Sequence, residues 1–297
     1  MTQNTFSVRS RAAFCIVLWL LGSDFAWSAQ ESTYQFWTGN GAPGRAEYYL
    51  SLAEHALTAS EDEFGPWRLT RFDRETPTLR ARHATQTGEF DFQATTIWHK
   101  EIANPKITII RQPLQYGLLG YRNFLIRRQD EDRFEALKSL DDLQGLTAGM
   151  GRDWPDAAIL RANGLRVLEA PTFGALFPML MAKRFDYIPL GVEEIEPTFV
   201  AYQDKYPNIV ASESILMVYP ISVHFMVCSC RPDLIERLQV GLANMVESGE
   251  MQRFFSEQKH AAIALIQQHW SQVYRLENTI QPQLVQSPNL EDASAIQ

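Results

Sequence analysis

Gly39-Asn40-Gly41-Ala42-Pro43-Gly44 has the spacing of the glycine turn that seats a dinucleotide pyrophosphate on a helix N-terminus. That device needs an acidic partner about 20 positions on, at the end of the next strand, to hold the ribose. Glu61 and Glu63 precede the strand expected over 67–72, and Asp73 and Glu75 follow too late. The glycines therefore read as a structural turn, and no cofactor is expected. The sequence contains no Gly-x-Ser-x-Gly, His-Glu-x-x-His, P-loop or Cys-x-x-Cys pattern. His55, His83, His99, His224, His260 and His269 are scattered without metal-ligand spacing, so neither catalysis nor a metal centre is expected. Cys228 and Cys230, two apart on an expected strand, would point to one face, which suits two small apolar side chains better than a disulfide.

The N-terminus carries the marks of an export signal. Arg9 and Arg11 flank an apolar run over 12–21 that is too short to span a membrane, and Ala26-Trp27-Ser28 places small residues at a peptidase-type site. Residues 1–28 are thus expected to be removed before Ala29, giving a periplasmic protein. Cys15 lies near the start of the run, where it cannot serve as a lipid acceptor. Without Arg9, Arg11 and Asp24 the chain keeps 25 basic against 34 acidic groups, a net charge of −9 with His neutral. Such an acidic chain lacks the basic footprint that nucleic acid demands. A mature length of about 270 residues exceeds one ordinary core and implies two domains.

The elements that would position a site alternate in type. A strand over 33–37, the glycine turn, and a helix with Ala46, Leu50, Ala53 and Leu57 on one face come first. A strand over 67–72, a helix over 77–87 and a strand over 90–98 follow, which argues for a mostly parallel sheet flanked by helices. A second series begins after Pro113, with strands over 124–127, 146–150, 167–169 and 186–189 and helices over 137–143, 156–163 and 173–182. An apolar stretch over 216–227 then leads to Pro232 and a helix with Leu234, Leu238, Leu242 and Met245 on one face. Helices over 250–258 and 261–273 close the fold, and the polar segment 281–297 is expected to be disordered.

Three segments together resemble the type II periplasmic solute-binding proteins, the receptors that feed ABC transporters. They are Ser139-Leu140-Asp141-Asp142-Leu143-Gln144-Gly145, the stretch 180–186, and the stretch 219–249. The resemblance implies an α/β fold of two lobes joined by two crossing strands, with a small ligand in the cleft between them. Lobe one would be 30–117 plus 222–280 and lobe two 118–221, with exactly two crossings, near 118–122 and 219–223. It also implies a small polar ligand, an inner-membrane permease or sensor as partner, and a monomer. Amino-acid-binding members place an arginine for the ligand carboxylate just after the third strand, whereas Thr95-Thr96-Ile97-Trp98-His99-Lys100-Glu101 has none. An amino acid ligand is therefore not implied.

Open α/β sheets bind ligands where strand ends meet helix N-termini. The candidates by that rule are Trp37 and Gly39 after the first strand, Thr96 and Trp98 after the third, Arg152, Trp154 and Asp156 on the next glycine-flanked loop, Thr172, and Asp186 with Tyr187. The tryptophans and Tyr187 would enclose an apolar part of the ligand. Arg152 would pair with an anionic group presented from lobe one.

Overall fold

The structure, a computed structural model, describes residue 1, residues 31–39, 42–74 and 76–280, and residue 290. Apart from Met1, the expected leader and its cleavage site lie outside these residues, and so does the expected tail except for Leu290. Disorder does not hold at Leu290, which is buried and donates its backbone N–H to the Tyr121 hydroxyl at 3.2 Å.

Lobe one begins with β1 (Ser32–Trp37), α1 (Arg45–Thr58), α2 (Glu61–Phe64), β2 (Trp67–Phe72), α3 (Thr78–Thr87), β3 (Phe92–Thr96), α4 (His99–Ile102) and β4 (Ile107–Ile109). Lobe two runs through β5 (Tyr121–Arg127), α5 (Glu131–Glu135), α6 (Leu140–Gln144), β6 (Thr147–Gly151), α7 (Pro155–Ala162), β7 (Arg166–Ala170), α8 (Leu176–Met181), β8 (Tyr187–Gly191), α9 (Val192–Tyr202) and β9 (Ile209–Val218). The chain returns with β10 (Val223–Cys228), α10 (Pro232–Glu247) and α11 (Glu250–Gln267), and ends in β11 (Gln272–Arg275).

Two separate sheets result, in the orders β2-β1-β3-β10-β4 and β11-β9-β5-β8-β6-β7. In the first, β1 runs parallel to β2 and β3 while β10 returns antiparallel between β3 and β4. Tyr34 and Phe36 alternate inward along β1, and Phe36 meets Phe92 and Phe225 with ring centroids 4.9 and 6.2 Å apart. This aromatic ladder fixes the register of three neighbouring strands. In the second sheet β6 is parallel to β7 and β8, and β5 is antiparallel to β8 and β9. The two-lobed α/β fold is therefore present.

Three expectations need correction. The chain crosses between lobes three times, because β11 pairs parallel with β9 in the second sheet, from Gln272 opposite Ile215 to Arg275 opposite Val218. Residues 272–275 alternate, with Tyr274 buried between exposed Val273 and Arg275, a strand pattern hidden behind the helical run that ends at Gln267. The assignment of 222–280 wholly to lobe one fails at this strand. Second, the series after the strand over 186–189 includes a further helix, α9, which continues through Pro197. Third, β10 ends at Cys228, so Cys230 lies on the following turn, with the two Cα atoms 5.1 Å apart and the cysteines joined by a disulfide. The turn removes the same-face geometry on which the free-thiol reading rested.

The helix α10 buries Leu234, Leu238, Leu242 and Met245, the face expected from their spacing, and packs on α1. At Gly241 a Cβ would run into the backbone carbonyl of Ala56, so the two helices approach as only glycine allows. Alanine has the higher helix propensity, by about 1 kcal/mol. Gly241→Ala should nevertheless lower stability in urea unfolding by about 1–3 kcal/mol, because the opposing atom is backbone and the helices must part.

His224 on β10 is fully buried beside the second crossing, with Nδ1 3.1 Å from the Ile110 carbonyl and Nε2 2.8 Å from the Ser222 hydroxyl. Burial lowers its pKa from 6.5, although the Ile110 carbonyl works in the opposite direction. As pH falls through 6.5 the unfolded chain therefore takes up a proton that the folded protein resists. Stability declines until the folded pKa is reached and is flat below it. The melting temperature of His224→Gln should fall less than that of the parent between about pH 7.5 and 5.5; equal slopes would show that His224 does not titrate in this window.

Candidate functional site

A cavity of about 540 Å³ lies between the lobes. Lobe one contributes the ends of β1 and β2, the N-termini of α1 and α3, and the end of β3. Lobe two contributes the N-termini of α7 and α9 and, from the first crossing, Leu119 and Arg122. Gly39 and Gly44, with φ of 78° and 79°, bracket the turn that leads β1 into α1, so the glycine motif shapes the cavity wall.

On the lobe-one wall, Thr38 donates its hydroxyl to Asp73 at 2.7 Å, and Arg71 Nε donates to the same carboxylate at 3.1 Å. The Thr38 hydrogen bond, followed by that from Arg71, holds Asp73 below the usual carboxylate range. Trp37 stacks over Phe90 at 6.0 Å and donates its indole N–H to the Arg74 carbonyl. Arg82 reaches from α3 across the end of β3. It donates to the Thr95 hydroxyl at 2.9 Å, the Thr96 carbonyl at 2.6 Å and the Glu101 carboxylate at 2.5 Å.

Arg122, only 2% exposed, occupies the floor. Its guanidinium contacts Asp156, which also accepts from the Tyr219 hydroxyl at 2.6 Å, and lies 3.4 Å from Glu194. Burial would lower the arginine's pKa, but Asp156, Tyr219 and Glu194 outweigh it and raise it instead. Burial and, against the pull of Arg122, Asp156 push the Tyr219 hydroxyl well above the normal range. Glu194 accepts the Gly191 N–H at 2.9 Å and pairs with Arg45 of α1 at 3.4 Å, which links the lobes directly. The cleft can thus hold a small polar molecule among paired charges. Among the described residues no group of three or more His, Cys, Asp or Glu side chains is placed to hold a metal ion.

Solved structures share this architecture. The GluR0 ligand-binding core in complex with L-glutamate aligns at a TM-score of 0.53 and 18% identity, over 78% of this chain and 99% of that one. An arginine-binding protein mutant from T. maritima aligns at 0.52 and 16%, over 77% and 96%. An ancestral amino-acid-binding protein, described as a precursor of cyclohexadienyl dehydratase, aligns at 0.53 and 15%, over 76% and 95%. The chain has the type II periplasmic-binding-protein fold. No family model matches it, and no curated protein is significantly similar to it.

Within the type II fold, the structure brings five of the sequence candidates to the interlobe cavity: Trp37, Gly39, Thr96, Trp154 and Asp156. The other five lie elsewhere. Trp98 faces a separate depression on lobe one with His83 and Lys100. Arg152 is exposed outside the cavity, with its backbone N–H tied to the Ala170 carbonyl, and Thr172 is also exposed. Asp186 precedes β8, and its N–H and carboxylate bond Thr147 at the start of β6. Because β6 and β8 are parallel, this is the end of the sheet opposite the cleft. Tyr187 is buried in the lobe-two core, stacked on Phe124 at 4.4 Å.

Sequence reasoning missed Arg45, Arg71, Arg82, Arg122 and Glu194. For Glu194 a signal existed, since Gly191-Val192-Glu193-Glu194 is the pattern of a helix start after a strand. Arg122 and Arg152 make contrasting predictions. Arg122→Ala leaves the buried Asp156 without its cation and Glu194 with Arg45 alone, and should cost about 3–5 kcal/mol in equilibrium unfolding. Arg152→Ala should stay within about 0.5 kcal/mol of the parent.

Proposed function

We propose that this protein is an exported solute receptor that captures a small polar ligand between its two lobes and passes it to an inner-membrane permease. The observation that carries the reading is the interlobe cavity itself, whose polar walls come from both lobes and are bridged by Arg45 and Glu194. Its size falls in the range of about 300–1,000 Å³ common for small-molecule sites. The names of the structural neighbours support a binding role over catalysis, since those proteins are described as ligand-binding cores and substrate-binding proteins. Among the described residues no helix is long and apolar enough to cross a membrane. The leader expected over 1–28 supports a periplasmic site of action.

A clamp closes only if the ligand gains contacts in the closed form that it lacks in the open one. Solution scattering with pooled amino acids, organic acids, amines and sugars should show a smaller radius of gyration than the free protein, with a change in tryptophan emission from Trp37 and Trp154. An unchanged radius and emission across all pools would defeat the clamp. A deletion strain should then lose uptake of the active solute; normal uptake with a lost cellular response would reassign the clamp from transport to sensing.

A further inference from the structure

The cysteine pair after β10 lies away from the cleft. β10 runs antiparallel to β3, with Val223 opposite Thr96 at the cavity end and Val227 opposite Phe92 at the other, so Cys228 and Cys230 sit at the far end of the first sheet. Cys228 is buried at the last position of β10, and Cys230 is exposed on the turn that leads into α10. Their disulfide spans a single intervening residue, Ser229. The constraint that a disulfide places on the unfolded chain shrinks with the loop it closes, and this loop is close to the shortest possible.

The turn is also held without the disulfide. The Cys228 N–H donates to the Asp91 carbonyl at 2.8 Å, the Ser229 N–H to the Lys106 carbonyl at 3.0 Å, and the Arg231 N–H to the Cys228 carbonyl at 3.0 Å. The Ser229 and Thr108 hydroxyls lie 3.1 Å apart, and the Arg231 guanidinium pairs with Asp91 at 2.5 Å and Asp233 at 3.0 Å. Stability therefore does not account for the bond, and the reduced turn would keep the two sulfurs close enough to rejoin.

The two sulfurs differ in the way that exchange requires. A thiolate attacks the sulfur it can reach, and the reaction is faster when the departing sulfur carries negative charge well. Cys230 is the exposed one, and beside its Sγ is Gly88, where a Cβ would come within 3.1 Å. Glycine leaves that side of the sulfur uncovered. The Cys228 Sγ instead accepts the Cys230 backbone N–H at 3.2 Å, a hydrogen bond that favours its thiolate.

We propose that Cys228–Cys230 is a thiol–disulfide exchange site that oxidises an external thiol. The incoming thiolate forms a bond to the Cys230 Sγ as the Cys228–Cys230 bond breaks, and the electron pair of that bond leaves on the Cys228 Sγ, which takes up a proton. A second thiolate then attacks the incoming sulfur, releases Cys230, which is protonated in turn, and departs joined to the first as a disulfide. Two external thiols thus lose two electrons and two protons to the pair. The site does not depend on the clamp at the other end of the sheet.

The test incubates the folded, oxidised full-length chain with glutathione or with reduced thioredoxin at matched thiol concentration, followed by acid quench, alkylation and mass spectrometry. Glutathione adducts should appear at Cys230, followed by free thiols at both positions, while the melting temperature stays within a few degrees of that of the oxidised protein. Faster reduction by thioredoxin assigns the partner thiol to a protein, and faster reduction by glutathione assigns it to a small molecule. With oxidised glutathione, Cys228→Ser should form its mixed disulfide at Cys230 tenfold or more faster than Cys230→Ser forms one at Cys228. If either variant melts early, the position of the adduct on the parent chain gives the same reading. A disulfide reduced only in denaturant, reduction that unfolds the protein, or adducts at Cys228 as readily as at Cys230 each overturn the site, and none of these outcomes bears on the clamp.

Discussion

Arg122 gathers lobe two and the second crossing onto one buried charge, and Glu194 carries that cluster on to lobe one. The arginine lies on β5, just past the first crossing, and its charge is buried, a position that is tolerable only with good partners. Those partners come from different parts of the chain: Asp156 from α7, Glu194 from α9, and Tyr219, whose ring lies 5.6 Å from the guanidinium, from the second crossing. One cation thus fixes where two helices begin and where the chain leaves lobe two. Through Glu194 it also reaches Arg45 on lobe one, so a change in interlobe spacing is felt directly at the buried cluster.

Much of the fold was legible because it is written in local patterns. The strand expected over 67–72 coincides with β2, the α10 face was readable from four apolar residues, and the crossings near 118–122 and 219–223 join the sheets as expected. The third crossing was illegible because four alternating residues after a long amphipathic helix carry little signal. Lobe assignment at β11 depends on its pairing with β9 more than 50 positions earlier, and periodicity carries no information about such pairing.

The site was legible in its loops but not in its long side chains. The rule that ligands meet strand ends located Trp37, Thr96, Trp154 and Asp156, all of which lie near the backbone they were predicted from. Arg82 lies within a helix and acts at the end of a strand 13 residues on, so its position in the sequence does not reveal where its guanidinium goes. It brings a guanidinium to the end of β3, where the segment 95–101 supplies none. Asp186 failed for the opposite reason. Its sequence position beside a strand was right, but it sits at the strand's entrance, and it is the exit that leads to the cavity, which Glu194 lines.

The C-terminal third changes what closure can mean in this chain. With two crossings, lobes can swing about a single axis. Here α11 packs both on α10 of lobe one and on α9 of lobe two, and Lys259 on α11 meets Glu193 on α9 at 2.6 Å. The chain then runs on into β11, so α11 is anchored on both sides of the cleft and the segment 268–271 has to accommodate any relative rotation. Opening therefore has to separate the cleft mouth, where Arg45 meets Glu194, while the face lined by α11 stays nearly fixed. In the proposed clamp, that packing would confine the motion to a hinge at the α11 side. A ligand of that clamp would then have less relative motion of the lobes to arrest on binding, which favours a preformed cleft.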